Sequence, residues 1–436
     1  MVKKNSRVPS RKISRLLTLG SMTVGIAGNV FYTASKKFLK GERPELKDLI
    51  LTKSNVIRFS KHLLQMRGAA LKVGQLLSLE SGDILSPELS TILSELRNNA
   101  EPMPFEQVKE VLVSSWGKNY IKYFEIFEEM PIAAASIGQV HKCKLRNGKV
   151  LAVKIQYPGI KESIDSDMDS LEFLLEKSGI VPRAFNLSEL ISAGRKQLHK
   201  ETNYTSEASF LDLFGQLLVN DKNFSVPHLD ENFTTDKTLA MEFKPGVTID
   251  KIASGDQTIK DRVIYNVFDL FFRELFQFNL VQTDPNYANF LFNNNTKKII
   301  LLDFGATVSV SPEISFKFRK LFLETMRSNK KEAKEALFDL GIVDKNLPNL
   351  LVMKIIDLYW EEMKPIREGR NFDFGSSHIV EKIEDLSGEV IFLESKIQIP
   401  SIEVLSIQRK VGGLFLLARR FKSKIDVTGI INKYIK

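Results

Sequence analysis

The chain has 436 residues, a formal charge of +9 and 43% apolar content, a globular composition long enough for two or three domains. Nine basic side chains and no acid fall within residues 1–40, and beyond residue 40 the basic and acidic counts balance. The excess is a basic arm rather than a basic folded face, which argues against a nucleic-acid binder and for a lipid surface as the arm's target.

Within the arm, Leu16 to Ser35 are twenty residues without a charge, long enough to cross a bilayer. Eleven are apolar, three are glycine and six are Ser, Thr or Asn, which is marginal content for a span. Three readings stay open: a helix in or on an anionic membrane, a helix packed on the protein's own body, and a cleaved presequence. Residues 46–118 read as helices. Phe59 to Leu79 carries an apolar face through Leu63, Met66, Ala70, Val73 and Leu77. Ser86-Pro87-Glu88 opens another helix, and a third follows Pro104 and runs to about Trp116.

The character then changes. Ile121 to Ile126, Gly138 to Leu145 and Val150 to Gln156 are short and β-rich, and Asn147-Gly148 between the last two is a hairpin signal. Helical pattern returns over 161–178 and 186–217, and Thr238 to Phe243 is a strand ending at Pro245-Gly246. Val263 to Leu280 is a strongly apolar helix whose central Arg273-Glu274 argues against a membrane span. Phe290 to Phe292 and Ile299 to Leu302 form a second hairpin, and 312–436 is mostly helical. A single cysteine, Cys143, excludes an internal disulfide and a Cys-cluster metal site, and the five histidines have no zinc spacing.

The second hairpin is framed by chemistry. Asp284 and Asn289 are five apart, and Asp303-Phe304-Gly305 follows the hairpin that returns the chain beside them. Phosphoryl transfer needs this set: one carboxylate to orient the attacking hydroxyl, and an amide oxygen with a second carboxylate to hold Mg²⁺ on the triphosphate of ATP. Asp284 is the candidate for the first role, Asn289 and Asp303 for the second. Upstream, Lys154 lies inside the apolar strand Leu151 to Ile155, where a lysine is costly unless paired. A kinase lysine in such a strand contacts the α and β phosphates and a helix glutamate, here Glu207. The stretch Ala133-Ala134-Ala135-Ser136-Ile137-Gly138-Gln139-Val140 fits the glycine-rich phosphate loop with alanine at its first two glycine positions. Alanine has poorer access to positive φ, so this loop is stiffer. Glu242, in the strand 238–243, joins this nucleotide-binding set.

These motifs together resemble the UbiB family of atypical protein-kinase-like proteins, most closely its coenzyme Q kinase branch. The alanine loop resembles that family's replacement for the glycine loop, and Lys72-Val73-Gly74-Gln75 its Lys-x-Gly-Gln motif. Gln282-Thr283-Asp284-Pro285-Asn286 and Leu302-Asp303-Phe304-Gly305-Ala306-Thr307 are similar to its catalytic and metal-binding segments. The resemblance implies an α+β, protein-kinase-like bilobal fold with an N-terminal helical extension. Its expected parts are an arm over 1–40, the extension over 41–118, a β-rich lobe over 119–245 and a helical lobe over 246–436. It implies gating by Lys72 and Gln75, which restrict protein substrates in favour of ATPase or small-molecule chemistry. Glu201 is carried over as a gating residue. The family's Glu-x-Asp motif reads Glu201-Thr202-Asn203 here, so any role needing the second carboxylate is lost.

The implied function is a membrane-associated, Mg-ATP-dependent kinase or ATPase supporting isoprenoid quinone biosynthesis or lipid homeostasis. Implied partners are anionic lipid, quinone precursors and quinone-biosynthesis enzymes, with a homodimer left open and no nucleic acid. The implied location is the cytoplasmic face of a membrane in a bacterium, or the mitochondrial inner membrane in a eukaryote. Two alternatives stand beside it: a nucleotide-switched scaffold for a membrane-bound complex, and a small-molecule kinase of aminoglycoside or choline type.

Overall fold

The computed structural model describes residues 102–134, 137–178, 187–391 and 400–435. The basic arm, the helices expected over 46–101, Lys72, Gln75, Ala135 and Ser136 lie outside these residues. The chain forms two units, one comprising the residues up to Thr205 with Leu229–Phe243, the other Ser206–His228 with Lys244–Lys436.

In the first unit, α1 (Phe105–Trp116) buries Val108, Val111 and Leu112 and stops at Gly117, whose φ of +82° suits glycine. The strand expected from Ile121 starts later. Ile121 and Tyr123 are exposed in a 3₁₀ turn, and β1 (Phe124–Phe127) begins where Phe124 turns inward. It is followed by β2 (Ala133–Ala134), β3 (Gly138–Leu145) and β4 (Val150–Gln156). The last two form the expected hairpin, with Gly148 at φ +88° in the turn. Three helices follow: α2 (Ile160–Ser178), α3 (Leu187–Glu201) and α4 (Tyr204–Leu217), the last giving its first two residues to this unit and the rest to the second. The single helix expected over 186–217 is thus broken. The carbonyl of Thr202 at the break accepts a hydrogen bond from Gln156 Nε2 (3.0 Å) in β4, a contact distant in sequence. Strand β5 (Thr238–Glu242) closes the antiparallel sheet in the order β1-β3-β4-β5, with β2 on β3.

In the second unit, Asp256 caps α5 (Gln257–Arg273) by accepting from Thr258 N. The apolar helix expected to Leu280 instead ends in a π-helical turn, Glu274–Phe278, closed by Asn279 at φ +51°. A short segment, β6 (Leu280–Gln282), then leads to the expected hairpin of β7 (Phe290–Phe292) and β8 (Ile299–Leu301). Strand β9 (Thr307–Ser309) pairs antiparallel with β6, Thr307 opposite Gln282. The remainder is mostly helical as expected, with one short antiparallel pair of Phe372–Asp373 and Lys424–Ile425: α6 (Pro312–Met326), α7 (Lys330–Asp339), α8 (Asn349–Glu362), α9 (Ile379–Ile391), α10 (Ile402–Arg420) and α11 (Val427–Ile435). Its core gathers the apolar face of α5, including Val263, Ile264, Val267 and Phe271, with Leu414 and Leu417 of α10 and Ile430 and Ile431 of α11. Among the described residues, no helix is long and apolar enough to cross a membrane.

Candidate active site

The first unit carries the described candidates for nucleotide binding on and beside β2, β3, β4 and β5. Ala133 pairs with Val140 and Ala134 with Gln139, so the start of the alanine loop is an exposed strand lying on β3. Ile137 is buried, and its carbonyl accepts from Tyr157 N (2.9 Å). A Cβ on Gly138 would stand 2.4 Å from Ile155 O and 2.8 Å from the Tyr204 hydroxyl, so only glycine fits there. Lys154 is central in the sheet, between Val140 of β3 and Leu239 of β5. It is 8% exposed, and its Nζ lies 5.1 Å from the ring centre of Tyr204, a cation–π arrangement. Glu242 sits at the end of β5, opposite Leu151. Glu201 ends α3, and its Oε1 accepts from Gln197 Nε2 (3.4 Å). Asn203 is exposed between α3 and α4.

The second unit carries the candidate catalytic and metal-binding residues around one loop. Leu302 N donates to Asn289 O (3.0 Å), which lays the start of Asp303-Phe304-Gly305 against the end of the Asp284–Asn289 loop. Thr283 is tied to the same segment twice, its N and Oγ1 both donating to Ala306 O (3.2 and 2.6 Å). Asn289 Nδ2 donates to Asp284 Oδ2 (2.9 Å), which fixes the amide and turns its oxygen away from the aspartate. Asp303 Oδ1 accepts from Gly305 N (2.9 Å). Glu207 comes close to the same glycine: a Cβ there would fall 3.1 Å from Glu207 Oε2 and 3.4 Å from Asp303 Oδ1. Phe304 is fully buried, its ring 4.8 Å from that of Phe214 in α4. The structure therefore brings Asp284, Asn289, Asp303 and Glu207 together. Lys154 belongs to the first unit and Glu207 to the second.

An amide oxygen and a carboxylate are hard donors suited to Mg²⁺, which is ordinarily held by one or two carboxylates plus the substrate's phosphates. The residues at 289 and 303 fit that requirement. Asn289 and Asp303 would hold Mg²⁺ there, and the ion would supply neutralisation of phosphate charge.

Three residues of this site escaped the sequence reading: Glu274, Arg409 and Lys410. Arg409, 5% exposed, donates from Nη2 to Asp284 Oδ1 (3.0 Å). Lys410 donates to Gln282 Oε1 (2.9 Å), and its Nζ is 3.9 Å from Glu274 Oε2 and 5.1 Å from the ring centre of Phe290. No side chain among the described residues donates a hydrogen bond to Glu274. Burial pushes the Glu274 carboxyl up to about 7 against the pull of Lys410. Burial likewise lowers Lys410, with Glu274 and Asp284 opposing. A cavity of about 10 Å³ lies among Glu274, Gln282, Asn289, Asp303 and Lys410, room for about one water.

The model of the ABC1 atypical kinase-like domain matches residues 95–337. The chain belongs to the ABC1 atypical kinase-like family. Within this family it is similar to the mitochondrial atypical kinase COQ8 of Saccharomyces cerevisiae, 38% identical over 424 residues, 97% of this chain and 84% of that one. It is 33% identical over 425 residues to the mitochondrial atypical kinase COQ8B of Rattus norvegicus, covering 96% of this chain and 79% of the relative. The probable serine/threonine-protein kinase abkA of Dictyostelium discoideum is 31% identical over 461 residues, covering 99% and 80%. These matches agree with the UbiB family and its coenzyme Q kinase branch, as the motifs implied. Among solved structures, Mycobacterium tuberculosis Rv3197 in its complex with erythromycin superposes with a TM-score of 0.60 at 20% identity, covering 88% of this chain and 95% of that one. That likeness establishes the fold alone, and with the family match it gives the kinase-like sheet and helical body expected.

Proposed function

We propose that this protein is a mitochondrial, membrane-associated atypical kinase or ATPase that uses Mg-ATP in support of ubiquinone biosynthesis. The observation that carries the reading is the loop geometry of the second unit. Asp284 and Asn289 are joined by a 2.9 Å hydrogen bond, and Asp303 follows Leu302, whose amide is bonded to Asn289. Asp284 orients the attacking hydroxyl or water, Asn289 and Asp303 hold Mg²⁺, and Lys154 and Glu207 position the phosphates. The strand pairing of Ala133 and Ala134 and the fit of Gly138 support a stiff phosphate loop. Residues 1–40 form a membrane-binding arm and 41–118 the gating extension with Lys72 and Gln75, and Glu201 is the further gating residue outside it. Residues 119–245 and 246–436 form the two lobes. The quinone pathway and the mitochondrial location rest on the COQ8 relatives. The test is ATP turnover by the full chain with Mg²⁺ on vesicles containing anionic lipid and a quinone, wild type beside Asp284→Asn. Turnover should fall at least about 100-fold in the variant; equal turnover would refute the assignment.

A further inference from the structure

Arg409 and Lys410 are adjacent on α10, and both are buried, at 5% and 2% exposure. Burying a cation is costly unless it is paired and hydrogen-bonded, so two in succession need a reason. Packing does not supply one, because Val404, Ile407, Leu414 and Leu417 already anchor the helix in the core. Both cations are directed at the segment Gln282–Asp284. Arg409 binds the Asp284 side chain. Lys410 binds Gln282 Oε1, and Gln282 Nε2 in turn donates to the backbone carbonyl of Asp284 (3.1 Å). The carboxylate and the main chain of one aspartate are thus held from the same helix. The helix also lies unusually close to the loop. A Cβ on Gly413 would fall 2.0 Å from Pro285 Cβ, a contact only glycine permits. Its first turn is tied down as well, since Glu403 Oε2 accepts from Ser311 N (3.2 Å) and Oγ (3.0 Å), just beyond β9.

We propose that α10 is a working part of the phosphoryl-transfer site and that Arg409 is the positioning residue of Asp284. The inference rests on the assignment of Asp284 given above and extends the site beyond residues 95–337, the span of the family domain. Arg409 takes one oxygen of the carboxylate and Asn289 the other, so the plane of the group is set from two sides. Asn286 N adds a longer bond to the oxygen held by Arg409 (3.4 Å), so the oxygen held by Asn289 is the one that keeps a further lone pair for the attacking hydroxyl or water. The planar guanidinium directs its donors along fixed lines, and a lysine ammonium would not reproduce that constraint.

The experiment uses the full chain, Mg-ATP turnover, equilibrium binding of a fluorescent ATP analogue and a melting curve for each variant. Arg409→Met should bind the analogue within about threefold of wild type while turnover falls about 10- to 100-fold, the scale expected when a catalytic group is misplaced by about 1 Å. Added guanidinium at millimolar concentration should restore about fivefold or more of the lost turnover. In an Asp284→Asn background the same change should cost less than about twofold, because the partner it positions is already impaired. Should Arg409→Met fail to fold, Arg409→Lys decides: it should melt within a few degrees of wild type and still lose at least about threefold in turnover. Unchanged turnover overturns the proposal. So does a loss that only follows the loss of analogue binding, or one that is equal in the two backgrounds. If Asp284→Asn itself turns over ATP like wild type, the functional reading fails instead. If Asp284→Asn is inactive and Arg409→Met is not, only the role of Arg409 fails.

Discussion

Replacing Lys410 by Met would leave the Glu274 carboxylate buried without its cation. The two side chains are 2% and 1% exposed, with Nζ 3.9 Å from Oε2. Removing one partner of such a pair costs about 3–5 kcal/mol, because the remaining charge keeps only the Gln282 backbone amide and the more weakly acting Arg273 against its desolvation. The pH dependence has a definite sign. Burial raises Glu274 from 4.5 to about 7 in the folded chain. Between those values the folded state holds more proton than the unfolded state, so stability falls as pH rises. The stabilising share of the protonated form is complete below pH 4.5 and gone above about 7. That span is worth about 3 kcal/mol at 1.36 kcal/mol per pH unit. Without Lys410 the stronger of the two opposing cations is absent and the Glu274 carboxyl rises further, which extends the window above pH 7. Lys410→Met should therefore differ most from wild type near pH 8 and least near pH 5.5, where Glu274 is neutral in both proteins. The double variant Lys410→Met/Glu274→Gln carries no buried charge at the pair and should return to within about 1 kcal/mol of wild type at pH 8. Urea unfolding of the full chain at both pH values, followed by far-UV circular dichroism, reads all three. Equal destabilisation by Lys410→Met at the two pH values, or a double variant no better than the single one, would refute the argument.

Two further outcomes follow from the first unit. Burial pushes the Cys143 thiol up to about 12 and leaves it 1% exposed, so maleimide labelling at pH 8 should be about a thousandfold slower than in the guanidinium-unfolded chain. Rapid labelling of the folded protein would place Cys143 outside the core of the sheet. Gly138→Ala drives a methyl to 2.4 Å from the backbone oxygen of Ile155, which a side-chain rotation cannot relieve. It should destabilise the protein by about 1–3 kcal/mol and weaken ATP-analogue binding, and an unchanged melting temperature would contradict the close packing of β3 on β4.

The parts of the site that could be read along the chain share one property. Asp284 and Asn289 are joined within a single loop, and one hairpin brings Asp303 back to them, so their relation is encoded in spacing and turn chemistry. The β3–β4 hairpin was legible for the same reason, since Asn147-Gly148 settles it locally. What escaped notice depended on partners far away in sequence. The break between α3 and α4 answers to Gln156, which takes the Thr202 carbonyl from 46 residues upstream. Glu274 looked like a charge that merely prevents a membrane span; it opens a π-helical turn, and a five-residue turn leaves no mark on a 3.6-residue periodicity. Arg409 reaches across 125 residues to Asp284, and along a helix a basic pair reads the same whether solvated or buried. One signal was nevertheless present. Arg409-Lys410 is followed by Val411 and then by Gly412-Gly413, a poor choice for a helix interior unless another backbone must come close. A glycine that costs helix stability beside two cations costly to bury marks a helix shaped by what it touches. Here it touches the loop that carries Asp284, and the expense of burying Arg409 and Lys410 is met by the carboxylate and amide oxygens they hold in place.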